Sequence, residues 1–289
     1  MDTRPIGIFD SGMGGLTCVR QMIRLLPGED IVYFGDTGRV PYGGRSAETI
    51  VRYARQDVAF LRSFDLKTIV IACGTVSTTA LDVLERENDL PILGVVQPAA
   101  KAAVNTTKSG KIGVIGTKAT IRSGAYEASI RALLPEAQLI AKACPLLVPL
   151  VEDGRVHRGD AVTERVVEEY LAPVKTAGVD TLVLGCTHYP LLMDVISDYM
   201  GTGVTLIDTG EEAARAAAAL LFEQSQLNDP SRKGRRRYYA SDSAADFAVF
   251  LDRVSRKVTV TREIPAPETY SSDCSGSPNG MTVTSPQRG

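Results

Sequence analysis

The sequence predicts an α/β protein: two pseudo-twofold-related parallel-sheet, flavodoxin-like domains facing a central cleft. Three observations predict it. Short apolar runs alternate with amphipathic stretches along most of the 289 residues, the pattern of strand–helix units on a parallel sheet. The units repeat weakly in the same order. Hydrophobic residues make up 44% of the chain and charged residues 23%, enough apolar material for two ordinary cores.

Eight runs read as buried strands, because parallel strands covered on both faces are apolar without alternation. They are Ile6–Phe9, Ile31–Phe34, Thr68–Ala72, Ile92–Val95, Ile112–Ile115, Leu139–Ala143, Thr181–Leu184 and Thr205–Ile207. Between them, Leu16–Leu26, Ala47–Ser63, Val76–Glu87, Ser123–Leu133, Ala161–Thr176 and Glu211–Ser225 have helical periodicity. Gly7–Ser11 resembles Gly113–Thr117, Thr68–Cys73 resembles Thr181–Cys186, and Gly38–Val40 resembles Gly154–Val156. Chance likeness between apolar strands is the alternative, and three matches in one order weigh against it. The first domain is expected over 1–97 plus 209–267, the second over 98–208. Residues 268–289, rich in Ser, Pro and Gly, read as a disordered tail. The basic run Arg232–Arg237 beside Tyr238-Tyr239 reads as a solvated loop entering an edge strand; RNA or DNA contact is the rarer use of such a run.

A net charge of −2 argues against a dedicated nucleic-acid binder, which carries a basic surface. No signal peptide is visible, and no apolar run reaches the roughly 18–20 residues that span a bilayer. A cytoplasmic location is expected. Five cysteines with wide spacings and no CxxC pair make neither a disulfide framework nor a zinc site. Each is a small buried residue or a reactive thiol.

Ligands in open α/β sheets sit beyond the carboxyl ends of the strands. Cys73 and Cys186 both fall there, at matching points of the repeat and just before helices, where the dipole favours a thiolate. If the halves face each other, two sulfurs flank one cleft. Inverting an α-carbon needs that arrangement: one group removes the proton from one face, and a second delivers a proton to the other. Alone, each cysteine reads as core; the pair reads as functional. Cys18 and Cys144 read as core, and Cys274 lies in the tail. The glycine-rich turn Asp10–Gly15 lacks a GxGxxG or Walker lysine, so nucleotide binding is a poor reading, and Asp10 suits a substrate ammonium instead. Thr75, Thr117 and Thr187 supply hydroxyl donors for carboxylates. His188 is either a satisfied structural histidine or a partner of the Cys186 thiol, and its place beside that thiol favours the second.

Five segments in order carry a specific likeness: Gly7–Leu16, Asp36–Gly43, Ala72–Thr75, Pro145–Glu152 and Gly185–Pro190. Across about Pro5–Ile264 the chain resembles the aspartate/glutamate racemase superfamily, and within it the glutamate racemases. The resemblance implies that Cys73 and Cys186 are the catalytic thiols, one acting on each antipode. It places Asp10, Ser11, Tyr42, Gly43, Thr75, Thr187 and His188 at substrate-binding positions, with Asp10 and His188 assisting the thiols and Glu152 lining the site. Pro41, with Tyr42 and Gly43, favours glutamate over aspartate. The resemblance further implies no cofactor and no metal, a homodimer, and supply of D-glutamate to peptidoglycan, the cell-wall polymer that sets cell shape; no membrane partner is expected, because no apolar run is long enough to span a bilayer.

One departure stands out. The family pattern Cys-Asn-Thr is here Cys73-Gly74-Thr75, so only the Gly74 backbone N–H is offered to substrate. The lost hydrogen bond to a charged group is worth about 1.5–3 kcal/mol, and restoring asparagine is expected to raise kcat/KM. The competing readings are another racemase of the superfamily, such as one for aspartate, and a non-catalytic binding module on the same scaffold. A related decarboxylase would keep one cysteine of the two.

Overall fold

A computed structural model describes residues 1–242, 244–255 and 268–269. Two parallel sheets form the frame. The first half supplies β1 (Ile6–Asp10), β2 (Ile31–Gly35), β3 (Thr68–Ile71) and β4 (Ile92–Leu93). The second supplies β5 (Lys111–Gly116), β6 (Gln138–Ala143), β7 (Thr181–Leu184) and β8 (Thr205–Asp208). The chain then returns to the first sheet with β9 (Arg236–Ala240) and the two-residue β10 (Glu268–Thr269). Strand orders are β10-β9-β2-β1-β3-β4 and β6-β5-β7-β8. Taken by their place in each half, both read second, first, third, fourth. The register repeats as well: Ile6 pairs with Ile31 and Thr68, and Ile112 with Leu139 and Thr181. The repeat legible in the sequence is therefore a repeat of topology.

β1, β2, β3 and β7 are buried along their whole length, as their unbroken apolar runs require. Helices cover the faces. α1 (Leu16–Leu25) and α2 (Ala47–Leu61) belong to the first half, and Ser46 caps α2 by accepting from the Thr49 N–H. The expected helix Val76–Glu87 is two, α3 (Gly74–Thr79) and α4 (Leu81–Glu87). Ser77 turns its hydroxyl to the Ile71 carbonyl and accepts from the Val95 N–H. That contact and the adjacent β-branched Thr78 and Thr79 break helical continuity at Ala80. α5 (Val96–Thr106) is not among the expected helices; Pro98 sits in its first turn, where a missing N–H costs nothing. Expected Ser123–Leu133 is α7 (Ala125–Leu133), and an unexpected short helix, α6 (Lys118–Ser123), precedes it and ends at Gly124, φ +66°.

α8 (Leu147–Glu152), α9 (Ala161–Thr176) and α10 (Met193–Met200) complete the second half. α11 (Thr209–Glu223), capped by Asp208, packs against both α1 and α5 and so joins the halves. α12 (Ala244–Ser255) packs against α1 and reaches β2 through Phe247, which lies against Tyr33. One apolar cluster runs from Ile6, Cys18 and Tyr33 through Ala213 and Ala217 to Leu184 and Ile196. Cys18 and Cys144 are buried in it, as expected. Arg236–Ala240, expected as an edge strand, is flanked by β2 and β10. Arg232 pairs with Asp30 at 3.0 Å, Arg236 bonds the Pro27 carbonyl, and Arg237 covers the Phe64 ring. These arginines are engaged by their own chain, which supports the loop-and-strand reading of the basic run. The rest of the expected tail, with Cys274, lies outside the described residues. Among the described residues no helix is long and apolar enough to cross a membrane.

Candidate active site

Both sheets aim their carboxyl ends at one cavity of about 440 Å³. Cys73 stands two residues past β3 and Cys186 two past β7, and both line it. Of the other residues singled out from the sequence, Ser11, Pro41, Tyr42, Gly43, Gly74, Thr75, Thr117, Glu152, Thr187 and His188 line it too. Asp10 does not. Its fully buried carboxyl lies behind the wall, accepting from the Gly12 N–H at 3.0 Å and the Thr187 hydroxyl at 3.3 Å. Direct contact with a substrate ammonium is not made in this arrangement; Asp10 instead ties the turn after β1 to the Cys186 loop of the opposite half. Sequence reasoning missed Gly12, Val40, Gly44, Lys118, Pro145, Val148 and Pro149, which also line the cavity.

The two thiols have different surroundings. Cys73 caps α3 and is 3.2 Å from the Ser11 hydroxyl. The helix-dipole argument predicts a thiolate there, but burial and the nearby Asp10 charge push this thiol up to about 12, against the pull of Ser11 and backbone N–H groups. Cys73 is thus a protonated thiol at neutral pH. Cys186 Sγ faces His188 Nδ1 at 3.7 Å, and His188 Nε2 meets Glu152 Oε1 at 3.0 Å. Burial alone would lower the imidazole, but its bonds to Cys186 and Glu152 outweigh that and push it up to about 10. Both ring nitrogens then donate. The site thus holds a thiol on one side and a sulfur–imidazolium–carboxylate chain on the other.

His188 has a consequence for stability. A pKa raised above the unfolded value near 6.5 stabilises the fold most below that value, and the contribution is lost as pH rises through about 10. Urea unfolding of His188→Gln is therefore expected to vary less between pH 6.5 and 10 than that of the parent chain. Parallel curves would contradict the assignment.

A buried cluster holds the Pro41–Gly43 wall. The Tyr42 hydroxyl meets carboxylate oxygens of both Asp36 and Asp57. Arg39 pairs with Asp36 at 2.6 Å and Asp57 at 2.8 Å and covers the Tyr53 ring at 4.4 Å. Ser241, beyond β9, donates to Asp36 at 2.8 Å. One phenolic hydrogen cannot serve two carboxylates. Burial and the negative charge of Asp36 raise Asp57 well above the usual carboxylate range, which makes Asp57 the carboxyl of the pair that more readily holds a proton. Asp57→Asn keeps that hydrogen and is expected to change stability by less than about 1 kcal/mol. Asp36→Asn leaves Arg39 short of its charge partner and is expected to cost about 2–3 kcal/mol. Thermal unfolding of the two variants tests the difference.

Two glycines bring the halves together. A Cβ on Gly14 would fall inside 3.0 Å of the His188 ring, so the glycine-rich turn serves close approach to the opposite half. A Cβ on Gly74 would fall inside 3.0 Å of the Gly185 backbone carbonyl oxygen. Asparagine does not fit at 74 in this arrangement, so the expected gain from restoring it is withdrawn: the obstacle is backbone of the other half, which no rotamer change removes. One hydroxyl pair spans the same seam, Thr75 to Thr117 at 3.0 Å, and Thr117 also meets Thr120 of its own half at 3.0 Å.

Residues 6–217 match the Asp/Glu/Hydantoin racemase family. A glutamate racemase from Geobacter metallireducens is 47% identical over 247 residues, 86% of this chain and 91% of that protein. Among solved structures, glutamate racemase isoform RacE1 from Bacillus anthracis superposes with a TM-score of 0.86 at 36% identity, covering 94% of this chain and all of that one. The glutamate racemase from Francisella tularensis, solved in complex with D-glutamate, superposes at 0.83 with 35% identity, covering 92% and 97%. With its two matched sheets, its paired thiols and this likeness along most of its length, the chain belongs to the Asp/Glu/Hydantoin racemase family.

Proposed function

We propose that this chain interconverts L- and D-glutamate, using Cys73 and Cys186 as the acid–base pair. The observation that carries the reading is one cavity lined by two cysteines at equivalent ends of two repeated sheets. A glutamate α-carbon between them has one sulfur on each face. In one direction Cys186, as thiolate, takes the α-proton, and the Cys73 thiol gives its proton to the opposite face. In the reverse direction the roles exchange. His188, held by Glu152, donates toward the Cys186 sulfur while that sulfur is without its proton. Ser11 does the same for Cys73.

The α-carbanion has no internal electron sink, so the wall must stabilise charge on the substrate carboxylates. The hydroxyls of Thr75 and Thr117, with backbone N–H groups of Gly43 and Gly74, are our candidates for that role, since the one hydroxyl hydrogen of Thr187 goes to Asp10. Asp10 acts in this scheme as a positioning residue for Thr187. The same proposal divides the chain into 1–97 with 209–267 and 98–208, takes the active form as a homodimer, and assigns the D-glutamate product to peptidoglycan synthesis. The test is polarimetric. The purified chain, without added cofactor, should bring L- and D-glutamate to the same racemic endpoint, with aspartate much slower. Unchanged rotation of both glutamate enantiomers overturns the reading.

A further inference from the structure

We infer that Lys118 is a specificity-determining residue, whose ammonium pairs with the side-chain carboxylate of a dicarboxylic amino acid in the cavity. The inference rests on the glutamate reading above and extends it to a residue that the sequence did not single out. Lys118 is the first residue of α6, directly after the cap Thr117, and it lines the cavity. Among the described residues it is the one lysine or arginine that lines the cavity. Among the described residues no carboxylate is in ion-pair contact with it.

The charge balance of the cavity gives this cation a purpose. An acidic amino acid brings one ammonium and two carboxylates, a net charge of −1 at neutral pH. The wall already carries Glu152, whose charge is answered by His188, and Asp10 lies just behind it. Among the described lining residues, Lys118 is the cation left to meet a second carboxylate. Gly74, across the seam from α6, adds no side-chain donor. The first turn of a helix is also an unfavourable place for a cation unless an anion joins it.

The test is steady-state kinetics on the full chain with both glutamate enantiomers, at low and high ionic strength, for the parent, Lys118→Met and Lys118→Arg. Lys118→Met keeps length and removes charge. It should raise KM by about three- to tenfold, leave kcat within about twofold, and flatten the rise of KM with salt. Lys118→Arg should restore KM to within about threefold of the parent. A parent-like KM and salt dependence in Lys118→Met would overturn the Lys118 assignment alone, with the racemase reading intact. A parent chain that does not turn over glutamate would overturn both.

Discussion

Replacing either Cys73 or Cys186 by serine is expected to lower kcat/KM for glutamate in both directions by at least about a thousandfold. A positioned acid or base contributes about 10²–10⁴ in rate, and inversion needs one on each face, so loss of either side stops interconversion. The serine hydroxyl fills nearly the same volume but is a far weaker acid, and it cannot serve as the base at neutral pH. Both positions line the cavity rather than the close-packed core, so a near-isosteric hydroxyl there should leave folding intact. Circular dichroism and thermal unfolding alongside the kinetics separate lost chemistry from lost structure. Cys144→Ser, a core position outside the cavity, should keep most of the activity of whatever fraction folds.

Gly74→Ala is expected to lower kcat/KM by about a hundredfold. A Cβ at 74 meets a backbone carbonyl inside 3.0 Å, whereas ordinary contact begins near 3.4 Å. The seam must open by an amount approaching an ångström, and a misplacement of that size costs about 10² in rate, roughly 2.7 kcal/mol of barrier. Gly74→Asn should be no better, because its Cβ meets the same oxygen. Gly203→Ala, where a Cβ meets nothing, is the control for general glycine effects. An asparagine variant that equals or exceeds the parent would mean that the halves sit further apart in the working enzyme.

Much of the frame could be read before folding. The apolar strand runs, the repeat and the two cysteines all depend on local order along the chain, and they locate the cavity. What could not be read depends on distance across the fold. Asp57 lies within α2, where nothing in the local pattern distinguishes it from a surface carboxylate; only folding brings it to Asp36, Arg39 and Tyr42. The Gly74–Gly185 contact joins residues of different halves, so the glycine looks like a lost donor until the opposing carbonyl is in place. Lys118 looks like any exposed helix lysine until the cavity forms beside it. The Cys73 thiol shows the limit of a local electrostatic argument. The helix start pulls its acidity one way, and burial beside Asp10 pulls harder the other way.

The most direct test of the two-thiol account is deuterium incorporation at the glutamate α-carbon in heavy water, followed by NMR from each enantiomer without added cofactor. The parent chain should incorporate solvent deuterium as it interconverts L- and D-glutamate, and Cys73→Ala and Cys186→Ala should each abolish interconversion. A cysteine-to-alanine variant that still interconverts the enantiomers at the parent rate would contradict the account.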